Sequence, residues 1–272
     1  MEISQIMVEP ITIDKDQRLS YAMELMEKKN YDRLVVVQGT EVIGILTYAD
    51  IADRLGVGKV VAVSIGRLHV SSAMSDTVIS VSESDEVTQV ASLMVERGMS
   101  GCPVLNKEGK LVGLVTKKQI TELVEKFTDI KVDTIMTTEG LMTVNPAERL
   151  IKARLEMLNG GYSGLPVTDG RRVLGVLTER TVAEAMARFS SEVPDKHRSN
   201  QIRLLRVVDA MIQQPPLVQL GTSISEAAKM MLESGLNALP VVGEGNMLIG
   251  VISATDFTRF ASNKFRIPEK GD

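Results

Sequence analysis

Apolar and polar positions along this chain follow a pattern that recurs four times. A short extended apolar run ends at Ile13, Val81, Val144 and Val218. Seventeen positions after each stand Asn30, Gly98, Gly161 and Gly235, and fourteen or fifteen positions further come Gly44, Gly113, Gly175 and Gly250. Three residues beyond each of those is a hydroxyl: Thr47, Thr116, Thr178 and Ser253. Every copy also opens with a similar dipeptide, Ile6-Met7, Ala73-Met74, Ile135-Met136 and Ala210-Met211. Self-similarity of this kind is the signature of a structural unit written repeatedly.

The pattern predicts the elements of one unit. Between the first two landmarks apolar residues fall at helical spacing, as in Val87, Val90, Ala91, Met94 and Val95, or Ile224, Ala227, Ala228, Met231 and Leu232. The Asn or Gly that follows suits a left-handed helix end. Two strands come next, over 102–105 and 111–115 in the second copy and over 239–242 and 248–252 in the fourth, each pair joined by a polar turn. The hydroxyl then stands where a helix N-cap belongs, before helices expected over 117–126 and 254–261. Each copy therefore reads strand–helix–strand–strand–helix, and the fold class is mixed α/β. The repeats are placed at 1–60, 68–128, 129–190 and 204–265. A unit of about 60 residues is marginally stable alone, so the copies are expected to pair.

Composition narrows the picture a little. Hydrophobic residues at 44% suffice for a core, which must be aliphatic because aromatics are only 3% while methionines number 15. A net charge of −4 disfavours a dedicated nucleic-acid binder. The single cysteine, Cys102, excludes an internal disulfide and fits a reducing cytoplasm; it reads as a buried small hydrophobe. No apolar run is long enough to span a bilayer, and the opening MEISQIMVEP does not read as a signal peptide. The expectation is a cytoplasmic protein with no membrane contact.

Two motifs carry a family resemblance. Gly-x-x-x-x-Pro-Val occurs at 98–104, 161–167 and 235–241, and Gly-x-x-Thr/Ser-x-x-Asp at 44–50 and 250–256. With four copies in register, the chain resembles tandem cystathionine-beta-synthase (CBS) domains. Its form is similar to that of stand-alone archaeal and bacterial CBS proteins and of the gamma subunit of AMP-activated protein kinase. The resemblance implies two modules, 1–128 and 129–272, forming a disk whose clefts bind adenosine-containing ligands. These are AMP, ADP, ATP, or S-adenosylmethionine and its relatives. It implies a regulatory, energy-sensing role without catalysis or a catalytic cofactor, and as partners a regulated protein and, as one option, a second copy of the chain.

The chemistry of the sites follows from residue types. A hydroxyl at a helix N-terminus, beside exposed backbone N–H groups, suits a phosphate. An Asp three residues later lies on the same helix face and can accept from both ribose hydroxyls. Thr47 with Asp50 and Ser253 with Asp256 supply the full pair, whereas Gln119 and Thr181 stand at the Asp position of the other two copies. By the resemblance, adenine would be held along the flanking strands at Thr12, Ile13 and Leu34 in one site and Val218, Ala238, Leu239 and Pro240 in the other. Phosphates would meet Arg33, Lys117, Lys118 and Arg180, with the two lysines serving another copy's ligand and Arg180 the Ser253–Asp256 site.

Blander readings fit some of the same residues. Thr47 and Ser253 also suit plain helix caps, with Asp50 and Asp256 complementing the helix dipole. Surface lysines and arginines are usually just solvated. Gly56-Val57-Gly58-Lys59 lacks the spacing of a phosphate loop and reads as a link. His69 and His197 have no ligand-spaced neighbours for a metal, and no nucleophile–base–acid set supports an enzyme. Two rival functions remain: a scaffold without ligand, and a nucleic-acid-binding regulator using the basic segment from Lys196, His197 and Arg198 to Arg203 and Arg206.

Overall fold

The computed structural model describes residues 1–56 and 63–264. The first copy comprises β1 (Thr12–Asp14), α1 (Leu19–Lys29), β2 (Arg33–Gln38), β3 (Glu41–Thr47) and α2 (Tyr48–Gly56). The second comprises β4 (Val81–Ser82), α3 (Val87–Glu96), β5 (Gly101–Leu105), β6 (Leu111–Thr116) and α4 (Lys117–Val124). The third contains α5 (Leu150–Gly160), β7 (Gly164–Asp169), β8 (Arg172–Thr178) and α6 (Glu179–Glu192), followed by α7 (Asp195–Gln201) and the short β9 (Ile212–Gln213). The fourth comprises β10 (Val218–Gln219), α8 (Ile224–Ser234), β11 (Ala238–Val242), β12 (Leu248–Ser253) and α9 (Ala254–Lys264).

The landmarks read from the sequence lie side by side across each sheet. Ile13 pairs in parallel with Val36, and Val36 pairs antiparallel with Gly44. The rows Val81–Val104–Gly113, Val144–Val167–Gly175 and Val218–Val241–Gly250 repeat that register. In all four sheets a bulge follows directly after the central valine. The central strands are buried on both faces for most of their length, which explains their unbroken apolar runs. The third copy forms only a single bridge where its first strand was expected, Val144 to Val167. Pro146 is the reason: Glu83 and Leu220 at the matching positions donate their N–H to Leu105 and Val242, and proline has none to give.

Helix ends behave as the sequence implied. Asn30 (φ 53°, ψ 49°) and Gly235 (φ 67°, ψ 16°) close α1 and α8 in the left-handed conformation.

The chain divides into two compact units. One unit takes Met1–Pro10, Ile79–Leu141 and the chain from Pro216 on, and so holds copies two and four. Its core gathers Ile3, Val87, Val90, Met94, Cys102, Val104, Val115 and Ile120, with α3 and α4 packed on α9. Phe127 and Phe260 meet edge to face at 5.1 Å. The other unit takes Ile11–Val78 and Met142–Pro215, and so holds copies one and three. Its core includes Leu19, Met26, Leu46, Ile51, Leu150, Leu165, Leu177 and Phe189, with α2 packed on α6.

The opening dipeptide of each copy does not pack on its own copy's sheet. Met7 lies over Gly113 of copy two, and Met74 over Gly44 of copy one. Met136 lies over Gly250 of copy four, and Met211 over Gly175 of copy three. The residue after each methionine bridges the residue after the glycine: Val8 to Leu114, Ser75 to Ile45, Thr137 to Val251 and Ile212 to Val176. Copies one and two thus exchange openers, as do copies three and four. The glycines recur because another segment of the chain passes where a side chain would stand.

Candidate ligand-binding sites

The β3–α2 junction places the first predicted pair. Thr47 ends its strand and Asp50 sits one turn into the helix. The Thr47 amide donates to Asp50 Oδ2 at 2.7 Å, the Thr47 hydroxyl donates to the same oxygen at 2.5 Å, and the Asp50 amide donates back to Thr47 Oγ1 at 3.3 Å. Directly across the β2–β3 ladder from Thr47 stands Arg33, only 9% exposed. Burial pushes the Asp50 carboxyl above its ordinary range; the bonds from Thr47 and the positive charge of Arg33 oppose that push, and Asp53 adds to it.

The β12–α9 junction repeats the arrangement. Oδ2 of Asp256 accepts from the Ser253 amide at 2.9 Å and its hydroxyl at 2.6 Å, and the Asp256 amide donates to Ser253 Oγ at 3.3 Å. Ala238 takes the place opposite Ser253 that Arg33 takes opposite Thr47. Asp256 is 4% exposed. Its second oxygen, Oδ1, accepts from Arg259 Nη1 at 2.9 Å and weakly from Thr137 Oγ1 at 3.5 Å.

Copies two and three build the same cap from neutral side chains. Gln119 Oε1 accepts from the Thr116 amide and hydroxyl at 3.1 and 2.6 Å. Thr181 accepts from the Thr178 amide at 3.2 Å and donates its own amide to Thr178 Oγ1 at 3.1 Å. All four hydroxyls are therefore helix caps, as the blander reading held, and capping alone is met by Gln or Thr. A carboxylate removed from water is costly, so the charges at Asp50 and Asp256 exceed what capping requires.

The cations expected at the sites divide between the units. Lys117 Nζ donates to Thr255 Oγ1 at 2.8 Å, between Ser253 and Asp256, while Lys118 is exposed. Arg180 pairs with Glu184 at 2.8 Å, donates to Asn30 at 3.3 Å and stacks over the Tyr48 ring at 5.6 Å. The Tyr48 hydroxyl is buried with no hydrogen-bond partner among the described residues, and burial pushes its pKa up to about 12.

The strand positions assigned to adenine contact are mostly core. Ile13, Leu34, Val218 and Leu239 are buried, with Ile13 and Leu34 in the cluster of the unit holding copies one and three. Ala238 and Pro240 are buried beside them and Thr12 is exposed.

Other candidates resolve plainly. Arg198 is buried, donates to the Val193 carbonyl at 2.6 Å and pairs with Asp195 at 2.7 Å, and Arg206 donates to the Ala147 carbonyl at 2.9 Å. Arg198 is thus engaged internally, while Arg206 stays exposed. Cys102 is buried as expected, and no cluster of three metal-ligating side chains occurs among the described residues. No helix among them is long and apolar enough to cross a membrane. Gly56 closes α2, whereas Val57, Gly58 and Lys59 of the glycine-rich link lie outside the described residues. The sequence reading missed Arg259 and Arg154. Arg259 was signalled by its i, i+3 spacing from Asp256; Arg154 reaches Asp53 across 101 residues, beyond any local pattern.

The repeated row register and the four hydroxyl-headed helices define a class. The family model of the CBS domain matches residues 3–57, 70–126, 132–188 and 207–263, and the chain belongs to that family. Among its relatives is protein MJ1225 of Methanocaldococcus jannaschii, 24% identical over 92% of this chain and 94% of that protein. The crystal structure of MJ1225 matches the fold with a TM-score of 0.83 at 22% identity, covering 96% of this chain and 99% of the other. Protein MJ1404 of the same organism is 23% identical over 96% of this chain and 62% of its own length. A protein from Pyrococcus horikoshii matches with a TM-score of 0.63 at 20% identity over 96% of this chain and 100% of that one.

Proposed function

We propose that the chain is a regulatory sensor that binds an adenosine compound and passes the state of its sites to another protein. The observation that carries this reading is the carboxylate at Asp50. It is half-buried and pushed above its usual range at a cap that Gln119 and Thr181 complete without charge. A ribose diol supplies two O–H donors to such a carboxylate, converting an electrostatic cost into charge-assisted bonds. Arg33 and the N-terminus of α2 suit the phosphate of a nucleotide. Family membership and the matching pair at Ser253 and Asp256 support the same chemistry in copy four.

The functional modules in this reading are residues 1–128 and 129–272. The exchange of opening segments between copies one and two, and between three and four, supports that pairing. A ligand-free scaffold is the second reading, favoured by the completion of all four caps by the chain's own side chains. The nucleic-acid reading loses one of its cations, because Arg198 is buried and paired with Asp195.

Thermal denaturation with AMP, ADP, ATP and S-adenosylmethionine separates the two. A ligand that binds only the native state at one hundred times its Kd stabilises it by about 2.7 kcal/mol. The sensor reading expects a dose-dependent rise in melting temperature with at least one of them; no shift with any, at millimolar concentration, establishes the scaffold instead.

A further inference from the structure

We infer that the two carboxylate sites are unequal and that Arg259 sets the difference, acting as an internal competitor for the ligand hydroxyls at Asp256. The inference rests on the ribose-acceptor reading of Asp50 and Asp256 and adds to it a specificity-determining residue.

A carboxylate offers about four lone-pair directions. At Asp256, Oδ2 is taken by the Ser253 amide and hydroxyl, and Oδ1 by Arg259 at 2.9 Å with Thr137 beyond at 3.5 Å. All four are addressed by the chain itself, and the group is 4% exposed. At Asp50, Oδ2 is taken by Thr47 in the same way, but no hydrogen bond from any described residue reaches Oδ1. The residue three positions on makes the contrast: Arg259 follows Asp256, whereas Asp53 follows Asp50 and pairs with Arg154 at 2.9 Å. Copy one thus presents an open acceptor beside a second acid. Copy four presents an acceptor already satisfied by a cation.

Arg259 can yield. Its side chain is 54% exposed, and a pair with one exposed partner is weakened by water and salt. A ligand at copy four must displace the guanidinium before its ribose can bond to Oδ1, so copy one fills first and copy four follows at higher concentration. Added salt screens the Arg259–Asp256 pair and narrows the gap.

Calorimetric titration of the whole chain with AMP, and in parallel with S-adenosylmethionine, tests this. The wild type is expected to show two classes of site differing about tenfold or more. Asp50→Asn should weaken the tighter class by about tenfold or more, and Asp50→Asn/Arg259→Gln should tighten the copy-four site by about five- to tenfold. Circular dichroism of the Arg259→Gln variant checks that the fold is intact. Arg259→Lys, with a point charge and no fork, should fall between. If the copy-four site binds equally or more weakly after Arg259→Gln, the competitor role is wrong while the ribose reading stands. Absence of heat from both ligands in wild type and variants removes the ribose reading, and the inference falls with it.

Discussion

The sulfur of Met74 lies 2.9 Å from the point where a Cβ on Gly44 would stand, with the Ser75 carbonyl oxygen at 2.8 Å. That contact joins the opening segment of copy two to the sheet of copy one, and its equivalents recur at Gly175 and Gly250, each with a carbonyl at 2.7–2.8 Å. Gly113 differs: the three atoms nearest such a Cβ all belong to the Met7 side chain, the sulfur first at 2.5 Å. Gly44→Ala should therefore destabilise the protein by about 1–3 kcal/mol, because backbone cannot yield as a methionine does. Gly113→Ala should cost under about 1 kcal/mol, the loss being offset by the lower chain entropy of alanine. Denaturation midpoints of the two variants check the order; equal losses would mean that the carbonyl is not the obstacle.

Asp50→Asn separates capping from binding. Asparagine keeps an oxygen for the Thr47 amide and removes the charge that burial disfavours, so stability at neutral pH should be unchanged or raised. Affinity for the adenosine compound should drop about tenfold or more, the loss of one charge-assisted bond. The pH dependence follows from the direction of the shift. The folded state holds the Asp50 proton more tightly than the unfolded one, so wild-type stability relative to the variant falls as pH rises from the ordinary value of 3.8 and levels off above the raised one. Unfolding curves of both proteins over that interval read the difference, and a wild type that instead gains on the variant with rising pH would reverse the assignment.

Arg154 holds the far end of the same helix. It is buried, pairs with Asp53, and donates to the carbonyls of Ala52 and Asp53 at 3.4 and 3.3 Å, satisfying groups at the C-terminus of α2. Arg154→Ala should cost about 1–3 kcal/mol, toward the low side of a broken buried pair because Asp53 is half in water. It should also weaken binding at copy one, since α2 carries Asp50, while leaving copy four unchanged. A uniform loss at both sites would point to general destabilisation.

Much of this was legible in the sequence because the landmarks are local. The rows from Ile13 to Val36 to Gly44 and their three counterparts depend on strand period and turn length, which the apolar pattern carries. The Met–Gly exchange was not legible, since spacing alone does not say which copy a methionine packs against. The missing first strand of copy three was readable at Pro146 but masked by the strength of the repeat. At the sites, Thr47 with Asp50 and Ser253 with Asp256 followed from an i, i+3 pattern. Thr137 reaches Asp256 from 119 residues away, and only tertiary structure reveals it. Ile13, Leu34, Val218 and Leu239 are buried, and an apolar strand position reads the same in the sequence whether it serves the core alone or also flanks a ligand.

The most direct measurement is a crystal structure of the chain with whichever adenosine compound raises its melting temperature. The account predicts ribose hydroxyls within hydrogen-bond distance of Asp50 Oδ1, with Asp256 occupied at higher ligand concentration and Arg259 swung away. Ligand beside Gln119 or Thr181 with the Asp50 and Asp256 sites empty would contradict it, and would mean that phosphate and backbone contacts outweigh the ribose acceptor in this protein.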